Sequence, residues 1–291
     1  LIVVTGGAGF VGSNLIKNLL AFKKFKIISI DNYLSGTKKN HIKNLRVKYI
    51  RSNTKNISKV FSKEKNKINS IFHFGEYSRI FQSFENLEEC LNSNIVGSNE
   101  VFNFCLKNNI KLIYSATSAA LESKKSDKNL SPYAFTKSKN LEFLENLKKW
   151  FNFKYEIIYF YNVYGPKQIK QGSMATVIGI FEDQYVKKKP LTVVRPGSQS
   201  RCFTHIDDTI KVCIEAWQKS KNRHYSVSAK KSYSIYKVAK MFGRKIKFLP
   251  QRKGERFSSR LTKMNLNNRI IRRYGKTKLI DYIVKFKAQN S

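Results

Sequence analysis

Apolar positions along this chain fall into two rhythms. Leu1-Ile2-Val3-Val4 is an unbroken, mostly β-branched run of the length of a buried strand, and the residues from Phe10 through Leu20 then space their apolar side chains at helical intervals. The same alternation repeats. Lys26–Asp31 and Val47–Ile50 read as strands, 54–69 as one polar surface helix or loop, and Ile68–Phe74 as a fourth strand. A single long helix is predicted from about Phe84 to Lys107, with Leu87, Leu91, Ile95, Val101, Phe102 and Cys105 on its apolar face. Lys111–Ser115 follows as a strand, then a polar loop at 121–130, a helix opened by Ser131-Pro132 and running to Phe151, and a sixth strand at Tyr155–Phe160. Strands alternating with helices and no tight hairpins predict a mostly parallel sheet covered on both faces. Beyond Gly165-Pro166 the regularity weakens.

The turn after the first strand carries glycines at 6, 9 and 12. Gly6 permits the tight turn, Gly9 lets backbone approach a pyrophosphate, and Gly12 lets the helix pack on the strand, with the helix N-terminus aimed at the phosphates. The second strand ends in Asp31, about 20 residues past the glycines, where a carboxylate accepts hydrogen bonds from a ribose. An acid there repels a 2′-phosphate, so NAD is expected over NADP. The fold expected is therefore α/β: a Rossmann-type doubly wound parallel sheet with a smaller α+β substrate-binding lobe. Residues 1–165 form the NAD-binding part, with 204–219 packing back onto it, and 166–291 form the second lobe.

Composition changes this picture in one respect. The 291 residues include 56 Lys+Arg against 19 Asp+Glu, a formal net charge of +37. Such a field attracts polyanions, but the basic residues are spread along the whole chain rather than gathered in one arm, which favours biased composition over a nucleic-acid surface. No apolar run approaches the roughly 18 residues that span a bilayer. Cys90, Cys105, Cys202 and Cys213 are scattered, as are the four histidines, so no metal site is expected and the thiols read as those of a reduced, cytoplasmic protein. Residue 1 lies inside the expected first strand and is not Met, so a few residues are expected before it.

The candidate chemistry sits at the start of the helix after the fifth strand. Tyr133 and Lys137 are four residues apart and so share a helix face. Bringing a tyrosine from its ordinary pKa of about 10 to about 7 takes roughly 4 kcal/mol. An ammonium 4–6 Å away supplies roughly 3–4 kcal/mol at an effective dielectric near 20, before desolvation is subtracted. A cationic nicotinamide adds the remainder, so the pair is a general acid/base only with that cofactor present. Ser115-Ala116-Thr117-Ser118 places hydroxyls at the carboxyl end of the same sheet, where ligands bind in doubly wound folds.

Taken together, these residues resemble the extended short-chain dehydrogenases/reductases, and among them the nucleotide-sugar epimerases and dehydratases. Thr5-Gly6-Gly7-Ala8-Gly9-Phe10-Val11-Gly12 is similar to that family's T-G-G-x-G-F-x-G, and Asp31-Asn32-Tyr33-Leu34-Ser35-Gly36 to its D-N-x-x-x-G. Asn94-Ile95-Val96-Gly97 resembles its N-x-x-G, and Tyr133 with Lys137 its Y-x-x-x-K with Thr117 at the catalytic Ser/Thr position. Tyr161–Pro166 resembles F-N-V-Y-G-P, Gly197–Arg201 resembles G-x-Q-x-R, and Arg252–Glu255 resembles R-x-G-[DE]. The resemblance implies catalytic roles for Thr117, Tyr133 and Lys137. It implies cofactor contacts at Gly6, Gly9, Phe10, Val11, Gly12, Asp31, Asn32, Ser35 and Gly36, and further ones at Asn53, Thr54, Phe74, Gly75 and Asn94. Substrate contacts would come from Ser78, Asn162, Arg201, Arg252, Glu255 and Ser259, the arginines suiting a diphosphate.

Several positions depart from the family pattern. Asn53 replaces an aspartate, Ser78 a lysine, and Cys202 an aspartate after Arg201. Ser118-Ala119 stand where the family's 4,6-dehydratases carry Asp-Glu, which argues for epimerisation. The resemblance thus implies an NAD-dependent epimerase acting at C4 of a UDP-hexose, with a small Ser259 admitting UDP-N-acetylhexosamine, and a homodimer built on the helices at 84–107 and 132–151. Two alternatives stay open: another nucleotide-sugar enzyme of the same scaffold, such as a uronate epimerase, decarboxylase or reductase, and a non-catalytic NAD-binding protein whose basic lobe binds nucleic acid.

Overall fold

The computed structural model describes residues 1–118, 129–252 and 270–290. Eight strands form one sheet, parallel at every pairing. In chain order these are β1 (Ile2–Thr5), β2 (Ile27–Asp31), β3 (Val47–Arg51), β4 (Ser70–His73), β5 (Lys111–Thr117), β6 (Tyr155–Phe160), β11 (His224–Ser228) and β14 (Ile270–Tyr274). Across the sheet they run β14-β11-β6-β5-β4-β1-β2-β3. The chain winds from β1 outward through β2 and β3, then returns to add β4 on the other side of β1. The switch point therefore lies between β1 and β4, where a doubly wound sheet opens a crevice at its carboxyl edge.

β1 shows how the sequence builds both layers. Ile2, Val3 and Val4 are fully buried, but the period of two sends Ile2 and Val4 to one face and Val3 to the other. On the first face, helix α1 (Phe10–Leu19) supplies Leu15, Ile16 and Leu19, and α8 (Ile206–Lys219) supplies Ile206, Ile210 and Trp217. Trp217 packs edge-on against Phe22 and donates its indole N–H to Ser70 Oγ at 2.9 Å. On the second face, α5 (Ser98–Lys107) and α6 (Pro132–Phe151) bury Val101, Phe102, Leu141, Leu144 and Leu147 against Val3, Ile71, Leu112 and Tyr114. Each fully buried aliphatic contributes about 1.5–3 kcal/mol, so these two stripes dominate the stability of the sheet.

A third core lies past β6. Here α7 (Val177–Val186), α9 (Ile235–Phe242) and α10 (Leu279–Asn290) enclose Phe181, Leu191, Val193, Val238, Phe242 and Ile283. Its strands are short pairs: β8 (Leu191–Val194) with β13 (Ile246–Leu249), β9 (Ser200–Cys202) with β12 (Ser232–Ser234), and β7 (Val163–Tyr164) with β10 (Thr204–His205). A boundary at 165 does not divide the sheet, because β11 and β14 return from the later half to complete it.

Two regions depart from the expected elements. The stretch 54–69 is neither one helix nor plain loop; it holds a single α-turn, α2 (Ile57–Val60), between two 3₁₀ turns. The helical stretch expected from 84 to 107 is interrupted once, at Asn86 after α3 (Gln82–Glu85), and then runs on through α4 (Leu87–Leu91), a π-turn at Asn92–Gly97, and α5. The wide turn seats the Asn94 side chain where its Oδ1 accepts from the Tyr77 N–H at 2.6 Å and its Nδ2 donates to Tyr77 O and Thr136 Oγ1, both at 3.1 Å. Among the described residues no helix is long and apolar enough to cross a membrane, and none of the four buried cysteines forms a disulfide.

Candidate active site

Gly6 and Gly75 meet across the switch point. A Cβ on Gly6, whose φ is +70°, would stand 2.9 Å from Gly75 Cα, so two strand ends approach only because neither carries a side chain. Gly12 would bring a Cβ to 2.8 Å from Gly7 Cα, which explains the close seating of α1 on the turn. No side chain caps α1 at Gly9, and Gly9, Phe10 and Val11 line the cavity that opens above it. At the end of β2, Asp31 is buried and accepts from the Ala8 N–H at 2.9 Å and the Tyr33 N–H at 2.8 Å. Burial raises its pKa, opposed by those backbone hydrogen bonds. A Cβ on Gly36 would lie 2.8 Å from Asp31 Oδ1, so the missing side chain keeps the carboxylate's approach open. An uncapped helix end, a side-chain-free turn and a recessed acid on one cavity fit a dinucleotide.

The cavity encloses about 470 Å³ and runs from this turn past Ser115, Thr117 and Tyr133 to Arg201 and Arg252. Asn32, Ser35, Phe74, Gly75, Ser78 and Asn162 line it as well. A smaller adjoining pocket of about 120 Å³ is lined by Asp31, Asn32, Asn53 and Thr54. There Asn53 Oδ1 accepts from Asn32 Nδ2 at 3.0 Å. Two of the expected cofactor residues line neither cavity: Asn94 is fully buried and spends its amide on the scaffold. Gly36 acts through Asp31 and is likewise absent from both linings. Glu255 and Ser259 lie outside the described residues. Cys202 is buried in the core beneath the cavity, and its carbonyl accepts from Asn162 Nδ2 at 3.2 Å.

Ser131 caps α6 by accepting from the Ala134 N–H at 3.1 Å, with Pro132 preset in the first turn. That start puts Tyr133 against the end of β5, where Thr117 hydrogen-bonds its hydroxyl, and places Lys137 one turn deeper. Both are buried, 8% and 4% exposed. The Lys137 ammonium donates to Glu76 Oε2 and to the Ser115 carbonyl, and sits 4.6 Å from the Tyr114 ring centroid. The electrostatics differ from the expectation that Lys137 depresses Tyr133. Burial pushes the Tyr133 phenol up to about 12; the Thr117 hydrogen bond and the Arg79 cation pull it down, while Glu76 adds to the rise. Lys137 is lowered by its own burial and supported by Glu76.

Glu76, Arg79 and Asn140 were not singled out by the sequence reading. Arg79 donates through Nε to the Met174 carbonyl at 2.9 Å and lines the cavity near Tyr133. Asn140, one turn past Lys137, donates to Glu76 Oε1 at 3.1 Å and to the Asn94 carbonyl at 2.6 Å. A signal for Glu76 existed: it is one of only 19 acidic residues and follows directly on a buried strand of the sheet.

The family model for the NAD dependent epimerase/dehydratase family matches residues 2–228. A protein of Bacillus subtilis named as an uncharacterized UDP-glucose epimerase is 30% identical over 229 residues, spanning 72% of this chain and 70% of that one. Among solved structures, the UDP-glucose 4-epimerase of Thermotoga maritima with UDP-glucose superposes with a TM-score of 0.85 at 23% identity, covering 99% of this chain and 98% of its own. The UDP-N-acetylglucosamine 4-epimerase of Methanobrevibacter ruminantium superposes with a TM-score of 0.77 at 25% identity, covering 88% and 87%. With the glycine turn, the buried acid and the tyrosine–lysine helix already in one cavity, the chain belongs to the NAD dependent epimerase/dehydratase family.

Proposed function

We propose that the protein is an NAD-dependent nucleotide-sugar 4-epimerase acting on a UDP-hexose or UDP-N-acetylhexosamine. The observation that carries this reading is the single cavity joining the glycine turn and Asp31 to Thr117, Tyr133 and Lys137 and onward to Arg201 and Arg252. Asp31 would hold the adenosine ribose and disfavour a 2′-phosphate. When bound, NAD supplies the electrophile that accepts the sugar's C4 hydride and gives it back. Tyr133 takes the proton from the C4 hydroxyl and later returns it, and Thr117 orients that oxygen by a second hydrogen bond. Lys137 reaches from the same helix face toward the nicotinamide ribose. The two arginines grip the diphosphate at the far end, so the 4-keto sugar turns between fixed ends and is reduced on its other face. Ser118, which lines the cavity beside Thr117, has no carboxyl to expel water, favouring epimerisation over dehydration.

The relatives named for UDP-glucose and UDP-N-acetylglucosamine support this substrate class. The two helical regions at 84–107 and 132–151 support a homodimer, and the protein would work in the cytoplasm. A panel of UDP-sugars assayed for C4 inversion without added NAD tests the reading: inversion is expected with cofactor carried by the protein, and Tyr133→Phe should lower kcat at least 100-fold, within the usual range for a general acid/base. Inversion that persists at the unsubstituted rate in Tyr133→Phe would overturn it.

A further inference from the structure

Behind the reacting groups lies a carboxylate for which the proposed reaction assigns no task. Glu76 follows β4 at the switch point with its side chain 2% exposed. Its Oε2 takes the Lys137 ammonium. Its Oε1 accepts from Ser98 Oγ at 2.8 Å, Tyr114 Oη at 3.0 Å and Asn140 Nδ2 at 3.1 Å. Donors from α5, β5 and α6 thus converge on one buried anion. The chain of contacts continues: Ser98 Oγ also lies 3.0 Å from His73 Nε2, and His73 Nδ1 is 2.7 Å from Thr5 Oγ1, whose β1 leads into the glycine turn. A buried carboxylate persists only when paired and fully hydrogen-bonded, and both conditions are met.

We propose that Glu76 is a positioning residue of the reaction: it fixes the Lys137 ammonium against the Ser115 carbonyl and cancels its charge, so that Tyr133 stays a phenol until a further cation enters the cavity. This rests on the reading of Tyr133 as the proton-transfer group. The groups that bear on Tyr133 are Glu76 and Arg79 from the segment after β4, Cys90 of α4, and Tyr114 and Thr117 of β5, while Lys137 of its own helix is held at Glu76. Burial holds Cys90 up at about 11 and Tyr114 well above its ordinary value, so both stay neutral. The charged groups left around Tyr133 are therefore Arg79 and the Lys137–Glu76 ion pair. With Glu76 neutralised, two uncancelled cations remain and the Tyr133 phenol must become more acidic.

The test is Glu76→Gln, which keeps an acceptor for Ser98 and Tyr114 and removes the anion. Tyr133 is titrated in the full chain without added dinucleotide, as the ultraviolet phenolate difference between each protein and its Tyr133→Phe counterpart. The midpoint is expected above about pH 10 in the unsubstituted chain and about one unit lower in Glu76→Gln, with the acid limb of kcat/KM moving the same way. An unmoved midpoint in folded Glu76→Gln overturns the proposal, since a merely structural role would change only the melting temperature. Should Glu76→Gln fail to fold, Glu76→Ala is titrated in the same way: a Tyr133 midpoint about one unit below that of the unsubstituted chain upholds the proposal, and an unmoved one overturns it. Full turnover in Tyr133→Phe, by contrast, would sink the epimerase reading itself.

Discussion

His73 sits in an environment that constrains the pH range of the fold. It is fully buried on β4 between Thr5 and Ser98, and burial drives its pKa down to about 4, against an ordinary 6.5. A base with a depressed folded-state pKa stays neutral when folded and picks up its proton on unfolding. Its contribution is therefore complete above about pH 6.5 and is lost as pH falls from there toward about 4, where the unfolded chain binds a proton that the folded chain refuses. The difference corresponds to about 3 kcal/mol. Urea denaturation at pH 7 and at pH 4.5 should show stability falling by an amount of that order, and His73→Asn should flatten the fall; an equally steep loss in His73→Asn would assign it to other groups. Neighbouring Glu76 makes the complementary point. Its position after a buried strand was readable, but the four donors that make it an anion with a task come from three other elements.

At the level of elements, legibility followed the distance over which each one is decided. β1, β2, β4, β5 and β6 are continuous apolar runs because both of their faces are covered, and α6 announces itself through the Ser131-Pro132 cap. The helical stretch from 84 to 107 was legible in its apolar spacing, but the π-turn inside it was not, because that turn answers to contacts with Tyr77 and Thr136 that no local pattern contains. The second half defeated the pattern for a different reason: strands of two or three residues such as β7, β9, β10 and β12 are too short to display a period. The same contacts give Asn94 a task in the scaffold. Asn94→Ala would leave Tyr77 and Thr136 short of buried partners and should cost about 2–3 kcal/mol in urea denaturation, while dinucleotide affinity measured by fluorescence stays within a few-fold. A large loss of affinity with unchanged stability would return Asn94 to the cofactor site.

At the scale of the whole molecule, the net charge of +37 sets the terms on which two copies can meet. Like-charged protomers repel, so an interface must form where the local charge is lowest. The stretch 84–107 carries four glutamates and one lysine, and 132–151 carries two glutamates and four lysines, which leaves the pair near neutral in an otherwise basic chain. These helices pack together, and Leu87, Leu91, Val96 and Phe135 stand 38–47% exposed on them, apolar side chains left uncovered among the described residues. Light scattering behind size exclusion should give twice the 33.8 kDa chain mass, and Phe135→Asp should give the single-chain mass. Salt separates this association from polyanion binding. Screening relieves repulsion between two basic copies, so the dimer should tighten between low salt and about 0.5 M, whereas nucleic acid held by phosphate contacts would dissociate over the same range. A single-chain mass for the unsubstituted protein at micromolar concentration across that range would refute the dimer.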